Sequence, residues 1–157
     1  MQFEQIYAAY WQKIYRLCRG YVNDDDWAKD IAQDTFVTVW QQLATFRNES
    51  AISTWIYRIA VNNCLRQIER QKRLPKDHFR HEIAEADSVS PEGKIAFLYQ
   101  CISELKEIDR IIISLELDDI KQAEIASIVG ISEANVRVKI HRIKEKLTEK
   151  FRRYDRD

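Results

Sequence analysis

Arg137, Lys139, Arg142, Lys144, Lys146, Lys150, Arg152 and Arg153 crowd the end of the chain, with only Glu145 and Glu149 set between them. Side chains of this kind neutralise phosphates, and arginine also reaches the edges of bases. A second basic cluster, Arg66, Arg70, Lys72 and Arg73, interrupted by Glu69, follows Trp55, Tyr57 and Arg58 and an expected polar break at Asn62 and Asn63. Aromatic and amide groups beside positive charge are suited to holding an unstacked base and its phosphates. Taken alone, Trp55 is more often a core residue. The opposite sign gathers between Asp24 and Asp34, where Asp24, Asp25, Asp26, Asp30 and Asp34 face Lys29 alone. Lys and Arg total 25 and Asp and Glu total 25, so the neutral sum hides two basic patches and one acidic helix start.

The basic end is preceded by "EIASIVGISEANVRV", in which Ala126 stands four positions before Gly130 and Val136 six after it. That is the spacing of a helix-turn-helix. A small residue lets two helices cross closely, glycine takes the positive φ of a tight helix end, and the valine returns an apolar group to the shared core. Ser132 is placed to cap the second helix. On that helix Val136, Ile140, Ile143 and Leu147 form the inward stripe. Arg137, His141 and Lys144 face outward, with Lys139 and Arg142 at the flanks, a face fit for a major groove.

The elements that must position these groups read as helices. Phe3, Ile6, Tyr7, Tyr10, Ile14, Leu17, Cys18 and Tyr21 fall three and four apart, and Gly20 with "NDDD" is expected to end that first helix. Ala32, Phe36, Val39, Trp40 and Leu43 mark a second, whose acidic start suits the helix dipole. A third is expected from about Ser53 to about Arg73, with Ile52, Ile56, Ile59 and Ala60 inward. Between Leu74 and Pro91 the period dissolves into a stretch with both prolines of the chain. Ile95 to Leu117 is again apolar at Ile102, Leu105, Ile108, Ile112 and Leu115. The prediction is all-α: two small helical domains joined by a linker, the second a helix-turn-helix, with boundaries at 1–73, 74–91 and 92–157.

Composition limits the chemistry. Three glycines and two prolines in 157 residues argue against hairpin-rich sheets. Cys18, Cys64 and Cys101 are odd in number and far apart, so neither a disulfide framework nor a zinc site is suggested, and a reducing compartment is expected. No secretory signal pattern or long apolar run is present, which points to a cytoplasmic protein without membrane insertion. No nucleophile–base pair, metal constellation or phosphate-cradling loop has credible spacing. His78 and His81 lack a third ligand, and no cofactor or enzymatic activity is expected.

"DIAQDTFVTVWQQLATF", then "STWIYRIAVN", then a linker and the helix-turn-helix together resemble the bacterial extracytoplasmic-function sigma factors, over nearly the whole chain. The resemblance implies a specificity subunit of RNA polymerase. Its first domain would open the minus-ten element and its second would dock on the minus-thirty-five element of promoter DNA. It also implies contacts to the beta-prime clamp helices and the beta flap of core polymerase, and an anti-sigma factor. The clamp helices would meet the helix from Asp26 to Leu43, through Asp30, Gln33 and Asp34. Phe36 and Trp40 fit either core or interface, the core being preferred. The base-capturing loop would lie around Asn62 and Asn63, Asn62 matching better, with Arg66 and Arg70 along the melted strand and Trp55 supporting it. In the second domain Ser132, Glu133, Asn135, Arg137, Lys139, His141 and Arg142 match groove-facing positions. Glu133 either accepts from a cytosine amino group or favours the helix dipole. A compact resting state with the DNA faces hidden is a further hypothesis. The rival is a two-domain regulator that binds a palindromic operator as a dimer, without polymerase. The basic tail after Asn62 speaks against it, because a ligand-binding domain has no use for one.

Overall fold

The computed structural model describes residues 2–72 and 91–156. Their regular structure is wholly helical: α1 (Phe3–Val22), α2 (Asp25–Gln42) with a short 3-10 turn at Leu43–Thr45, α3 (Ile52–Lys72), α4 (Pro91–Ser103), α5 (Glu107–Leu117), α6 (Gln122–Val129) and α7 (Glu133–Arg156). The expected all-α class is therefore what the chain adopts. The linker expected at 74–91, except Pro91, and the readings of Arg73, His78 and His81 lie outside the described residues.

Helix ends follow local chemistry. Gln2 and Gln5 cap the start of α1 reciprocally, and the Asp24 carboxylate accepts from the Trp27 amide at 2.6 Å to start α2. Asn23, at φ 50°, closes α1 by donating its amide to the Arg19 carbonyl at 3.1 Å. The expected stop at Gly20 is thus corrected, since α1 runs through it to Val22. Gly20 serves packing instead. A Cβ there would stand 2.2 Å from Ser114 Oγ and 3.2 Å from Ser114 Cβ, so the missing side chain is what lets α1 cross α5.

Apolar faces decide how the helices stack. Ile6, Ile14, Leu17, Cys18 and Tyr21 of α1 meet Ile31, Phe36 and Val39 of α2 and Ile56, Ala60 and Cys64 of α3. The same continuous core takes in Ile111, Ile112 and Leu115 of α5, Ile125 of α6 and Val136 of α7. A smaller cluster, with Ile102, Ile113, Ile143 and Leu147, closes α4 onto α5 and α7. The two halves therefore pack against each other, α1 on α5 and α3 on α6. Ile112 sits within this core with no exposed surface. Ile112→Ala is expected to lower stability by about 2–5 kcal/mol, read as an earlier midpoint in urea denaturation.

Cys18 and Cys64 are free thiols, their sulfurs 3.9 Å apart where α1 meets α3. The hydrogen bond from Cys64, reinforced by burial, pushes the Cys18 thiol well above its usual range. Iodoacetamide is expected to label Cys18 in the folded chain far more slowly than in urea, as mass spectrometry of the labelled peptides would show.

Candidate nucleic-acid interface

The helix-turn-helix forms as its spacing requires. Gly130 takes φ 78° at the end of α6 and donates its amide to the Ala126 carbonyl at 2.9 Å. Ser132 Oγ accepts from the Asn135 amide at 3.1 Å at the head of α7. Val136, Ile140, Ile143 and Leu147 are all buried. The opposite face of α7 points to solvent and carries Glu133, Asn135, Arg137, His141 and Arg142. Glu133 pairs with Arg137 at 3.9 Å and Glu145 lies 3.1 Å from His141, both one turn apart along the helix. Such exposed pairs contribute little to stability.

Two cations of this set are engaged elsewhere. Lys139 reaches back to Asp109 at 3.5 Å and Lys144 to Glu116 at 3.4 Å, both acids belonging to α5. Lys144, read as outward, therefore helps to brace α7 on its own core. Sequence reasoning passed over Val138, an apolar side chain 47% exposed between these polar groups.

In the first half, the amides at positions 62 and 63 do not form a loop or a break. α3 runs unbroken from Ile52 to Lys72, which corrects the expected loop. The two amides part company on the helix. Asn63 turns toward α2, where it donates to Thr35 Oγ1 at 3.1 Å and satisfies a hydroxyl that is fully buried. Asn62 is exposed, seven residues beyond Trp55 and four before Arg66, so the three share one face of the helix, with Arg70 at its end.

A loop does lie earlier, between Thr45 and Ala51, beside the head of α3. Phe46 packs its ring against Trp55 at 4.8 Å, and beside them a cleft of about 350 Å³ is lined by Arg47, Glu49, Ser50 and Arg58 as well. Trp55 is half-buried, with one side on the core and the other on this cleft. Arg58 was singled out with Trp55 by sequence reasoning, whereas Phe46 and Arg47 were missed. The signal was there in "FRNES", a short polar stretch between two periodic helices with an aromatic and an arginine at its start.

The acidic helix also sorts its side chains. Asp30, Gln33 and Asp34 are exposed. Asp25 accepts a hydrogen bond from Tyr15 Oη, which holds its carboxyl below the usual range. Burial first, then that bond, pushes the Tyr15 phenol up to about 12. Phe36 belongs to the core as preferred, but Trp40 does not: it is 64% exposed and stands over a groove floored by Phe36 and walled by Phe3, Tyr7 and Val37. The core assignment of Trp40 is corrected, because α2 has neighbours on one side alone and its last turn overhangs them.

Fold and surface together define an all-helical DNA-binding protein with a helix-turn-helix and an exposed basic face on α7 in one half and, in the other, an aromatic cleft at the head of α3 and an exposed apolar patch on α2. Residues 6–74 match the Sigma-70 region 2 family and residues 98–147 match the Sigma-70, region 4 family. The chain is 31% identical over 168 residues to the ECF RNA polymerase sigma factor SigW of Bacillus subtilis, covering 96% of this chain and 89% of that one. It is 30% identical over 159 residues to the RNA polymerase sigma-H factor of Pseudomonas aeruginosa, covering 91% and 82%. The chain belongs to the sigma-70 family, among its extracytoplasmic-function sigma factors. Among solved structures, the fold is similar to that of the sigma factor RpoE bound to the anti-sigma factor NepR from Bartonella quintana, at TM-score 0.79 and 19% identity over 94% of both chains. It also resembles CnrH in complex with the cytosolic domain of CnrY, at TM-score 0.73 and 23% identity over 95% of this chain and 86% of that one.

Proposed function

We infer that the chain binds core RNA polymerase, directs it to promoters and takes part in opening them, acting by binding rather than by catalysis. The observation that carries this reading is the pairing, in one family member, of an aromatic cleft at the head of α3 with a separate helix-turn-helix whose α7 bears an exposed basic face. In the assignment proposed, residues 1–73 hold polymerase and the minus-ten element, 74–91 link, and 92–157 dock on the minus-thirty-five element. Trp55 stacks on or supports an unstacked base at the Phe46 cleft, while Asn62, Arg66 and Arg70 track the melted strand along α3. The structural bond of Asn63 to Thr35 gives that residue a supporting part instead. Arg137, His141 and Arg142, with Asn135 and Glu133 at the head of α7, enter the groove, and Lys139 supports them from the flank.

On the protein side, Gln33 lines the groove over which Trp40 stands and Asp30 and Asp34 lie exposed on the same helix, a surface with both apolar and acidic character for the beta-prime clamp helices. The beta flap would meet the second half. No described helix is long and apolar enough to cross a membrane. The site of action proposed is the cytoplasm, where polymerase and promoter DNA are. An anti-sigma factor is proposed as regulator, since both neighbours of known structure were captured with one.

The reading is tested by co-purifying the chain with core polymerase and mapping transcript starts on fragments of the source genome with and without it. Stable association with new starts is expected. Retention on a palindromic site without polymerase would favour a dimeric operator-binding regulator instead. Arg137→Ala is expected to weaken binding to duplex by about 1–3 kcal/mol if its contact is a base edge, measured by fluorescence anisotropy on a mapped promoter. An unchanged affinity would return Arg137 to the solvated face.

A further inference from the structure

The outward face of α7 is not polar throughout. Val138 stands midway between Val136 and Ile140, both of which are buried in the core. At about 100° per residue, two steps in either direction set it about 160° round the helix from each of them. Its side chain therefore points away from the core, at the middle of the outward face. Ala134, one turn earlier, is exposed as well, so the two form a short apolar strip. Arg137 and His141 lie along one side of the strip and Arg142 along the other. Lys139, the next residue in the chain, turns back to Asp109 at 3.5 Å and leaves Val138 uncovered.

A single exposed valine is ordinary on a protein surface. Its place singles this one out. Val138 is the sixth residue of α7, in the opening turns that contact base edges when the second helix of a helix-turn-helix enters a major groove. Helix stability gives no reason for it, since a β-branched residue is a poorer helix former than the Lys and Arg around it. The strip is open to solvent although the two halves of the chain pack together, so the expectation that a compact form hides the DNA faces fails for α7.

The chemistry of the groove limits what such a strip can meet. Base edges there offer donors, acceptors and one apolar group, the 5-methyl of thymine. The flanking cations draw the helix onto phosphates, which fix its register and carry no sequence information. An apolar side chain pressed on a donor or acceptor edge strips water from it and returns no hydrogen bond. The same side chain on a methyl group buries apolar surface on both partners. Selectivity thus comes from attraction to the methyl and from the penalty against bare polar edges. 5-Methylcytosine carries the same group, but thymine presents it in unmodified DNA.

We propose that Val138, extended by Ala134, is a specificity-determining residue that reads the 5-methyl group of thymine in the major groove of the duplex bound by α7. This rests on the sigma-factor reading only for which duplex that is. Arg137, His141 and Arg142 set the register, and the apolar strip fixes where a thymine must fall on the contacted strand.

Deoxyuridine in place of thymine removes the methyl and changes nothing else. With the complex of chain and core polymerase on a mapped promoter, each thymine of the upstream element is replaced in turn on either strand, and duplex affinity is read by fluorescence anisotropy. At one thymine or two, affinity is expected to fall about fourfold, the worth of burying one methyl-sized group. Val138→Ser is expected to bind the thymine and deoxyuridine duplexes alike, with the thermal midpoint unchanged because the side chain is exposed. 5-Methylcytosine at the responding position separates the two sources of the methyl. Binding no tighter than to thymine is expected, and tighter binding would overturn the assignment to thymine. The proposal also falls if no thymine responds to the replacement, or if Val138→Ser keeps the full response. Failure to associate with polymerase would strike the sigma-factor reading alone, and the same scan is then run on duplexes that the full chain selects from a random library. Absence of any duplex binding there would overturn the proposal.

Discussion

Trp40→Ala is expected to weaken association with core polymerase by about thirtyfold or more while leaving the thermal midpoint of the free chain essentially unchanged. An exposed tryptophan over an apolar groove is the type of residue that dominates protein interfaces, where a hot spot is worth about 2 kcal/mol or more. Its neighbours Val37 and Tyr7 are exposed as well, at 52% and 39%, so the patch is continuous rather than a single stray side chain. Phe36→Ala is the matched control. Phe36 is 3% exposed, and its removal is expected to cost about 3–5 kcal/mol of stability. Biolayer interferometry on immobilised core enzyme, with thermal denaturation alongside, separates the two effects. Unchanged affinity in Trp40→Ala would remove the last turn of α2 from the polymerase contact.

Trp55→Ala and Asn62→Ala are expected to impair promoter opening more than polymerase binding. For Trp55 the loss is about 1–3 kcal/mol, the range for stacking one base on an aromatic ring, or about fivefold to over a hundredfold in the open-complex equilibrium. Asn62 lies exposed on the same face of α3, so its effect should be seen in opening with little change in stability. Permanganate footprinting of unpaired thymines reports opening, and the polymerase affinity of each variant supplies the comparison. Equal loss of both activities would sink the assignment of these residues to the melted strand. Phe46→Ala is expected to follow Trp55→Ala, because the two rings form one surface at 4.8 Å.

Periodicity carried the fold a long way. The stripes of α1, α3 and α7 were legible because an amphipathic helix must turn its apolar residues to one side whatever it packs against. The helix-turn-helix was legible for a sharper reason, since Gly130 at φ 78° and Val136 in the core answer local demands of the turn itself. Trp40 was misread because a stripe shows which residues share a face, whereas burial depends on whether a neighbour covers that part of it. Gly20 was misread likewise: glycine ends helices and also admits close crossings, and only the position of Ser114 tells which.

The candidate site divides along the same line. Residue types determined that α7 would bear a basic, groove-shaped face and that α2 would begin acidic, because charge and spacing along one helix are local properties. The sequence by itself determined the class of fold, the turn and the sorting of charge. Only the tertiary structure decided that Phe46 and Arg58 complete the cleft beside Trp55, that Asn63 supports Thr35 while Asn62 faces outward, and that α6 rests on the head of α3. The cleft depends on how the loop before α3 folds back onto it, and the other two depend on which helix lies beside which, over separations of 28 and 71 residues in the chain; nothing in a helical period of three or four residues encodes such neighbours.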